Sequence, residues 1–149
     1  MTEEKKHKKV FVEGPITPEF IADSLAKHAA KQNIGAHSMF MGQVRADLKD
    51  NGQTVTGIEY EAYQEMAMQT LHRIREDAFA KYSLTCLHIY HSLGHVKTGE
   101  ISLFVFTSSA HRRAAIEACD YLVERIKREV QVWGKEMLES GETVWKQPG

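Results

Sequence analysis

Five side chains of the 149-residue chain are of types that could hold and act on an anion: Arg45, His111, Arg112, Lys127 and Lys135. The densest stretch is Thr107–Glu136, which reads as a strand end, a tight turn and one long helix. His111 and Arg112 fall in the first turn of that helix, where the backbone dipole and free N–H groups already attract phosphate or carboxylate. Lys127 lies on the border of the helix's apolar stripe, about 60° round from Arg112 at ~100° per residue. A lysine half-covered by apolar neighbours and set among other cations has its pKa pulled down, towards general acid–base work. Residue chemistry alone describes an anion site with a capacity for proton transfer.

Other constellations carry less. His88, His91 and His95 form an H-x2-H-x3-H run. In a strand the first two face opposite sides, and His95 lies beyond a glycine, so no metal set is expected from them. Ser108-Ser109-Ala110-His111 lacks a nucleophile elbow, and Ser109 reads more simply as the helix N-cap. Neither a G-x-G-x-x-G run nor a P-loop is present, so no nucleotide cofactor is expected.

The elements that must position the cations follow from periodicity. Val10–Val12 is a short strand. Thr17 caps a helix with Pro18 at its first position, running to about Gln32. Its His28 reads as a partly buried structural residue. Gly35–Arg45 is a strand, and Asn51-Gly52 marks a hairpin turn leading to its expected partner, Thr54–Tyr63. Gln64–Lys81 is a helix with Met66, Leu71, Ile74 and Phe79 inward. Leu84–His91 and Glu100–Phe106 are strands around a Gly94…Gly99 turn. In the last helix Ala115, Cys119, Leu122, Ile126, Val130 and Trp133 recur at helical spacing, with Gly134 as the stop. Glu142–Lys146 adds a short strand. Two strand pairs, each followed by a helix, predict α+β with a largely antiparallel sheet and three main helices.

Composition bounds the rest. Hydrophobic content of 42% suits one domain over residues 10–149, preceded by a charged, disordered tail over residues 1–9. A net charge of −1 gives no global field for nucleic acid, so any anion site is local. Cys86 and Cys119 form no disulfide framework, and no apolar run suggests a leader or a membrane span; a soluble cytoplasmic protein is expected.

Four segments together resemble the large, catalytic subunit of molybdopterin synthase, over about Val10 to Trp145. FMGQVR (Phe40–Arg45) is similar to that family's F-x-G-x-V-R, and IEYEAYQEMA (Ile58–Ala67) to its L-E-Y-E-x-Y-x-x-M-A. HSLGHVKTGE (His91–Glu100) is similar to H-R-x-G followed by a large apolar residue and G-[DE]. SSAHRRAAIEACDYLVERIK (Ser108–Lys127) resembles S-x-H-R…[LI]-K.

The resemblance implies an α/β-hammerhead-type α+β domain. It implies a homodimer that binds one small ubiquitin-like subunit per protomer, making a heterotetramer. That partner ends in a Gly-Gly thiocarboxylate, and its sulfur passes to cyclic pyranopterin monophosphate to form the dithiolene of molybdopterin. No cofactor and no metal are implied. Lys127 matches the family's catalytic lysine. Gln43, Val44 and Arg45 match a substrate strip, and His111 and Arg112 the phosphate side. Gly134 stands where the family carries a second lysine; Lys135, one residue on, is the expected stand-in, with Gly134 and Glu136 beside the substrate. That departure leaves a second reading, a non-catalytic relative that binds the partner or a pterin as a scaffold. Arg112 and Lys127, fifteen residues apart, are ~22 Å apart on a straight helix, which predicts a site shared between two protomers.

Overall fold

The computed structural model describes residues 9–146. Residues 1–8 of the expected tail lie outside the described residues. The elements are β1 (Phe11–Glu13), α1 (Pro18–Lys27), β2 (Ala36–Gln43), β3 (Val55–Ala62), α2 (Gln64–Lys81), β4 (Cys86–Lys97), β5 (Ile101–Ser109), α3 (Arg112–Glu129), β6 (Val132–Leu138) and β7 (Thr143–Trp145).

One sheet runs β2-β5-β4-β3-β6-β7, antiparallel throughout, with β1 added in parallel beside β4. The predicted α+β class with a largely antiparallel sheet and three helices is what the described residues adopt. β5 is buried along nearly its whole length, and its alternation sorts two cores. Leu103 and Val105 join Leu71, Ile74, Leu122 and Ile126 on the face covered by α2 and α3. Phe104 and Phe106 join Ile16 on the opposite face, with Phe20 and Ile21 of α1 packed against them. Thr17 caps α1, accepting the Phe20 N–H at 3.1 Å, with Pro18 first in the helix as expected. The helix ends at Lys27 rather than near Gln32, and none of its residues is fully buried.

β4 changes partners along its length. Cys86–His91 pair with β5, and Gly94–Lys97 pair with β3. Gly94, at φ +79°, sits at the change, in backbone that an L side chain rarely adopts. The strand therefore runs on to Lys97, past the end predicted at His91.

Three expectations near the site are overturned. β2 pairs with β5 and not with β3; the Asn51-Gly52 turn closes only the local Leu48–Thr54 bridge. Ser109 does not cap α3: it is buried at the end of β5, its hydroxyl donates to the His111 carbonyl, and His111 is the N-cap residue. The last helix stops at Glu129, not Gly134. Val130 is extended, and Val132–Leu138 is a strand on β3. Val130, Val132 and Trp133 are β-branched or aromatic, types that favour a pleated surface over a helix end. In α2, Ala67, Thr70, Leu71, Ile74 and Ala78 are buried, whereas Met66 and Phe79 are exposed. Small residues let that helix sit close to α3.

Candidate active site

A cleft of about 330 Å³ opens where the C-terminal end of α3 passes β3, β4 and β6. Tyr60, His91, Ser102, Lys127, Gly134 and Lys146 are among its lining residues. Each arrives by a distinct route. Lys127 projects from the last turn of α3, one residue after buried Ile126. His91 is on β4 by the same alternation that turns Leu87 and Ile89 towards α2 and α3. Lys146 is held by its own backbone, whose N–H donates to the Gly134 carbonyl at 2.8 Å as the chain leaves β7.

Charge in the cleft is crowded. Lys127 is exposed as a residue, yet protein packed around its ammonium lowers its pKa; Lys146 and then Arg45 lower it further. Such a lysine gives up its proton more readily than a solvated one. Burial holds His91 neutral, with a pKa lowered to about 4. Its Nδ1–H donates to the Ser92 carbonyl at 2.8 Å, leaving Nε2 with a lone pair. The ring stands edge-on to Tyr60, centroids 5.1 Å apart. The Tyr60 hydroxyl donates to Ser102 Oγ at 3.1 Å, and burial pushes its pKa up. The arrangement offers cations for an anion, a lysine able to exchange a proton, and a neutral imidazole.

Not all of the sequence candidates meet here. Arg45 reaches Lys127 only through its field; its guanidinium holds the Asp47 carboxylate with two contacts, Nε–Oδ1 at 3.1 Å and Nη2–Oδ2 at 3.2 Å. Gln43 is exposed at the end of β2, and Val44 is buried with Ile58 and Val96. His111 and Arg112 are exposed at the other end of α3, about 22 Å from Lys127 by helix rise. Within one chain they cannot touch a ligand bound at Lys127.

Lys135 points away from the cleft lining. Its ammonium lies 4.9 Å from the Trp145 ring centroid and 4.0 Å from Glu61. Glu136 is buried and paired with Lys49 at 2.7 Å. Gly134 faces Ile58 and Tyr60, and a Cβ there would lie 2.6 Å from Ile58 Cγ2. A side chain at this position needs its neighbours to move.

His91, Tyr60, Ser102 and Lys146 had no predicted role. His91 and Tyr60 stand inside the HSLGHVKTGE and IEYEAYQEMA segments, so the sequence flagged their neighbourhoods but not their functions. Lys146 carried no signal, because its place depends on β7 folding back along β6.

The family described as MoaE protein matches residues 15–129. The chain belongs to the MoaE family. It is 35% identical over 113 residues to the molybdopterin synthase catalytic subunit of Pyrococcus abyssi, covering 76% of this chain and 75% of the relative. It is 38% identical over 120 residues to the same subunit of Bacillus subtilis, covering 80% and 75%. A crystal structure of molybdopterin synthase from Staphylococcus aureus superposes with a TM-score of 0.80 at 32% identity, over 93% of this chain and 96% of that one. A complex of subunits 1 and 2 of molybdopterin-converting factor from Helicobacter pylori shares the fold, with a TM-score of 0.78 at 20% identity over 93% and 89%.

Proposed function

We propose that this chain is the catalytic subunit of a molybdopterin synthase and that Lys127 and Lys146 supply the two ammonium groups of its active site. The observation that carries the reading is the cleft itself, where a lysine of lowered pKa stands beside a second lysine and a neutral histidine in a member of this family. The substrate, cyclic pyranopterin monophosphate, brings the anion that the cations attract. The sulfur donor is the C-terminal thiocarboxylate of a small ubiquitin-like subunit. Attack of the thiocarboxylate sulfur on a side-chain carbon of the pterin breaks a C–O bond at that carbon, the oxygen leaving with a proton from the site, and makes a thioester between the partner and the pterin; a second thiocarboxylate repeats the exchange at the neighbouring carbon. Water then cleaves the acyl–sulfur bond, leaving sulfur on the pterin and a carboxylate on the partner. Lys127 is suited to moving the protons of these steps, because both of its charge states are within reach.

Lys146 takes the place first assigned to Lys135. It lines the cleft beside Gly134, whereas Lys135 is engaged with Trp145 and Glu61. Arg45 adds its field to the cleft, where it lowers the pKa of Lys127. The protein works as a cytoplasmic homodimer, with His111 and Arg112 of one protomer completing the phosphate side of the other's site. Gly134 keeps a scaffold reading in play.

The deciding reaction combines this protein, a thiocarboxylated partner and cyclic pyranopterin monophosphate, and scores dithiolene product. Product formation that is lost in Lys127→Ala supports catalysis. Partner binding without product, unchanged by Lys127→Ala, supports the scaffold.

A further inference from the structure

We propose that His28, Cys86 and His88 form a binding site for a first-row transition-metal dication, with zinc(II) the best match, that pins α1 to the sheet. The three ligand atoms lie within 4.8 Å of one another. Two of the residues come from one strand: Cys86 and His88 are two apart in β4 and so project to one face, where they pair with Ser108 and Phe106 of β5. The third is the C-cap residue of α1, buried where the helix ends against that face.

The orientation of His28 is what points to a ligand. Its Nδ1–H donates to the Ser24 carbonyl at 2.7 Å, since a carbonyl can only accept. Nε2 therefore carries the lone pair, and it stands 3.0 Å from His88 Nε2. A carbonyl that fixes the far nitrogen of a histidine is the usual support of a metal-bound imidazole. Zinc bonds of about 2.0–2.1 Å to nitrogen and 2.3 Å to sulfur place tetrahedral ligand atoms roughly 3.3–3.6 Å apart. A small inward movement of the thiol and a slight parting of the rings give that geometry. Two imidazoles and a thiolate suit zinc, cobalt or copper and disfavour magnesium or calcium.

The surroundings fit. Phe106 packs against the two imidazoles, with ring centroids 4.7 Å from His28 and 6.0 Å from His88. A cleft of about 630 Å³ reaches both histidines from solvent, giving an entry path and room for a water as fourth ligand. The catalytic cleft lies on the other side of β4, because His88 and His91 face opposite ways. A structural purpose follows from α1, which buries none of its residues fully and depends on His28 just past its end. On binding, His88 carries its proton on Nδ1 instead of Nε2, so both imidazoles stay neutral, and the thiol gives up its proton to solvent, so uptake weakens as pH falls.

The test uses tag-free, chelator-stripped full-length protein titrated with cobalt(II) and with zinc(II). Wild type is expected to take one cobalt per chain with a thiolate-to-cobalt charge-transfer band and the strong visible absorption of a tetrahedral ion. Cys86→Ser should lose the charge-transfer band, and His88→Gln should weaken zinc binding at least about tenfold. Zinc should raise the melting temperature of wild type and not of His88→Gln, each variant being checked for folding by circular dichroism. Cobalt binding without a thiolate band overturns the proposal. So does equal zinc affinity in wild type and folded His88→Gln, or failure of wild type to bind either ion. A variant that does not fold leaves the wild-type cobalt spectrum and stoichiometry to decide.

Discussion

Lowering the pH from 7.5 to 5 should cost this protein stability through one ring, His91. In the folded state its pKa is about 4, against 6.5 for an unperturbed histidine. Between those values the unfolded chain binds a proton that the folded chain refuses. The stability is therefore complete above pH 6.5 and drains away as pH falls towards 4. The full difference, 2.5 pH units at 1.36 kcal/mol each, is about 3 kcal/mol, and the part lost by pH 5 is about 2 kcal/mol. Because the ring is partly open to the cleft, this is the upper value. Urea denaturation at both pH values, on wild type and on His91→Gln, isolates it. Every other titrating group is common to the two proteins, and glutamine does not titrate. Wild type should lose about 2 kcal/mol more than the variant between pH 7.5 and 5. If the two lose stability in parallel, His91 is not held neutral by burial, and the account of it as a lone-pair acceptor beside Lys127 fails.

Further outcomes follow from the same cleft. Lys127→Ala should abolish dithiolene formation while changing stability by no more than roughly 1 kcal/mol, checked by single-turnover assay and thermal melting. Lys146→Ala should lose most activity, and in what remains the pH–rate limb that reports neutral Lys127 should move to higher pH, since a neighbouring cation has gone; Lys135→Ala should leave both nearly unchanged. Gly134→Lys should destabilise by about 1–3 kcal/mol, read by urea denaturation, because its Cβ meets Ile58. Dimers mixing Arg112→Ala with Lys127→Ala chains should recover roughly half of wild-type activity, whereas either variant alone is inactive; verified mixed dimers that stay inactive would exclude a shared site.

The placement of Lys127 was legible from sequence because its signal is local: an apolar stripe of period 3.6 fixes which side of α3 Lys127 borders. α2 was placed at Gln64–Lys81 and the cap at Thr17 for the same reason. Pairing was not legible locally. The Asn51-Gly52 turn looks like a hairpin, but β2 finds a distant partner in β5, Gln43 opposite Ile101 and Ala36 opposite Ser109, and only the assembled sheet decides that. The end of α3 misled because Val130 and Trp133 continue a helical spacing while Val130, Val132 and Trp133 also suit a strand. That ambiguity moved Gly134 and Lys135 from a helix end, where either could be re-aimed, into a strand whose alternation fixes them. It also hid Lys146. His28 stood apart from Cys86 and His88 for another reason: only the closure of α1 onto β4 brings them near.

The last rung of the sheet has a practical side. Lys146 reaches the cleft because its backbone hydrogen-bonds Gly134 across the end of β7, and Val144 and Trp145 on that strand are exposed. A substitution that breaks the β6–β7 rungs, such as Val144→Pro opposite Glu136, would loosen the pairing that sets Lys146. Turnover would then fall although no residue lining the cleft had been changed.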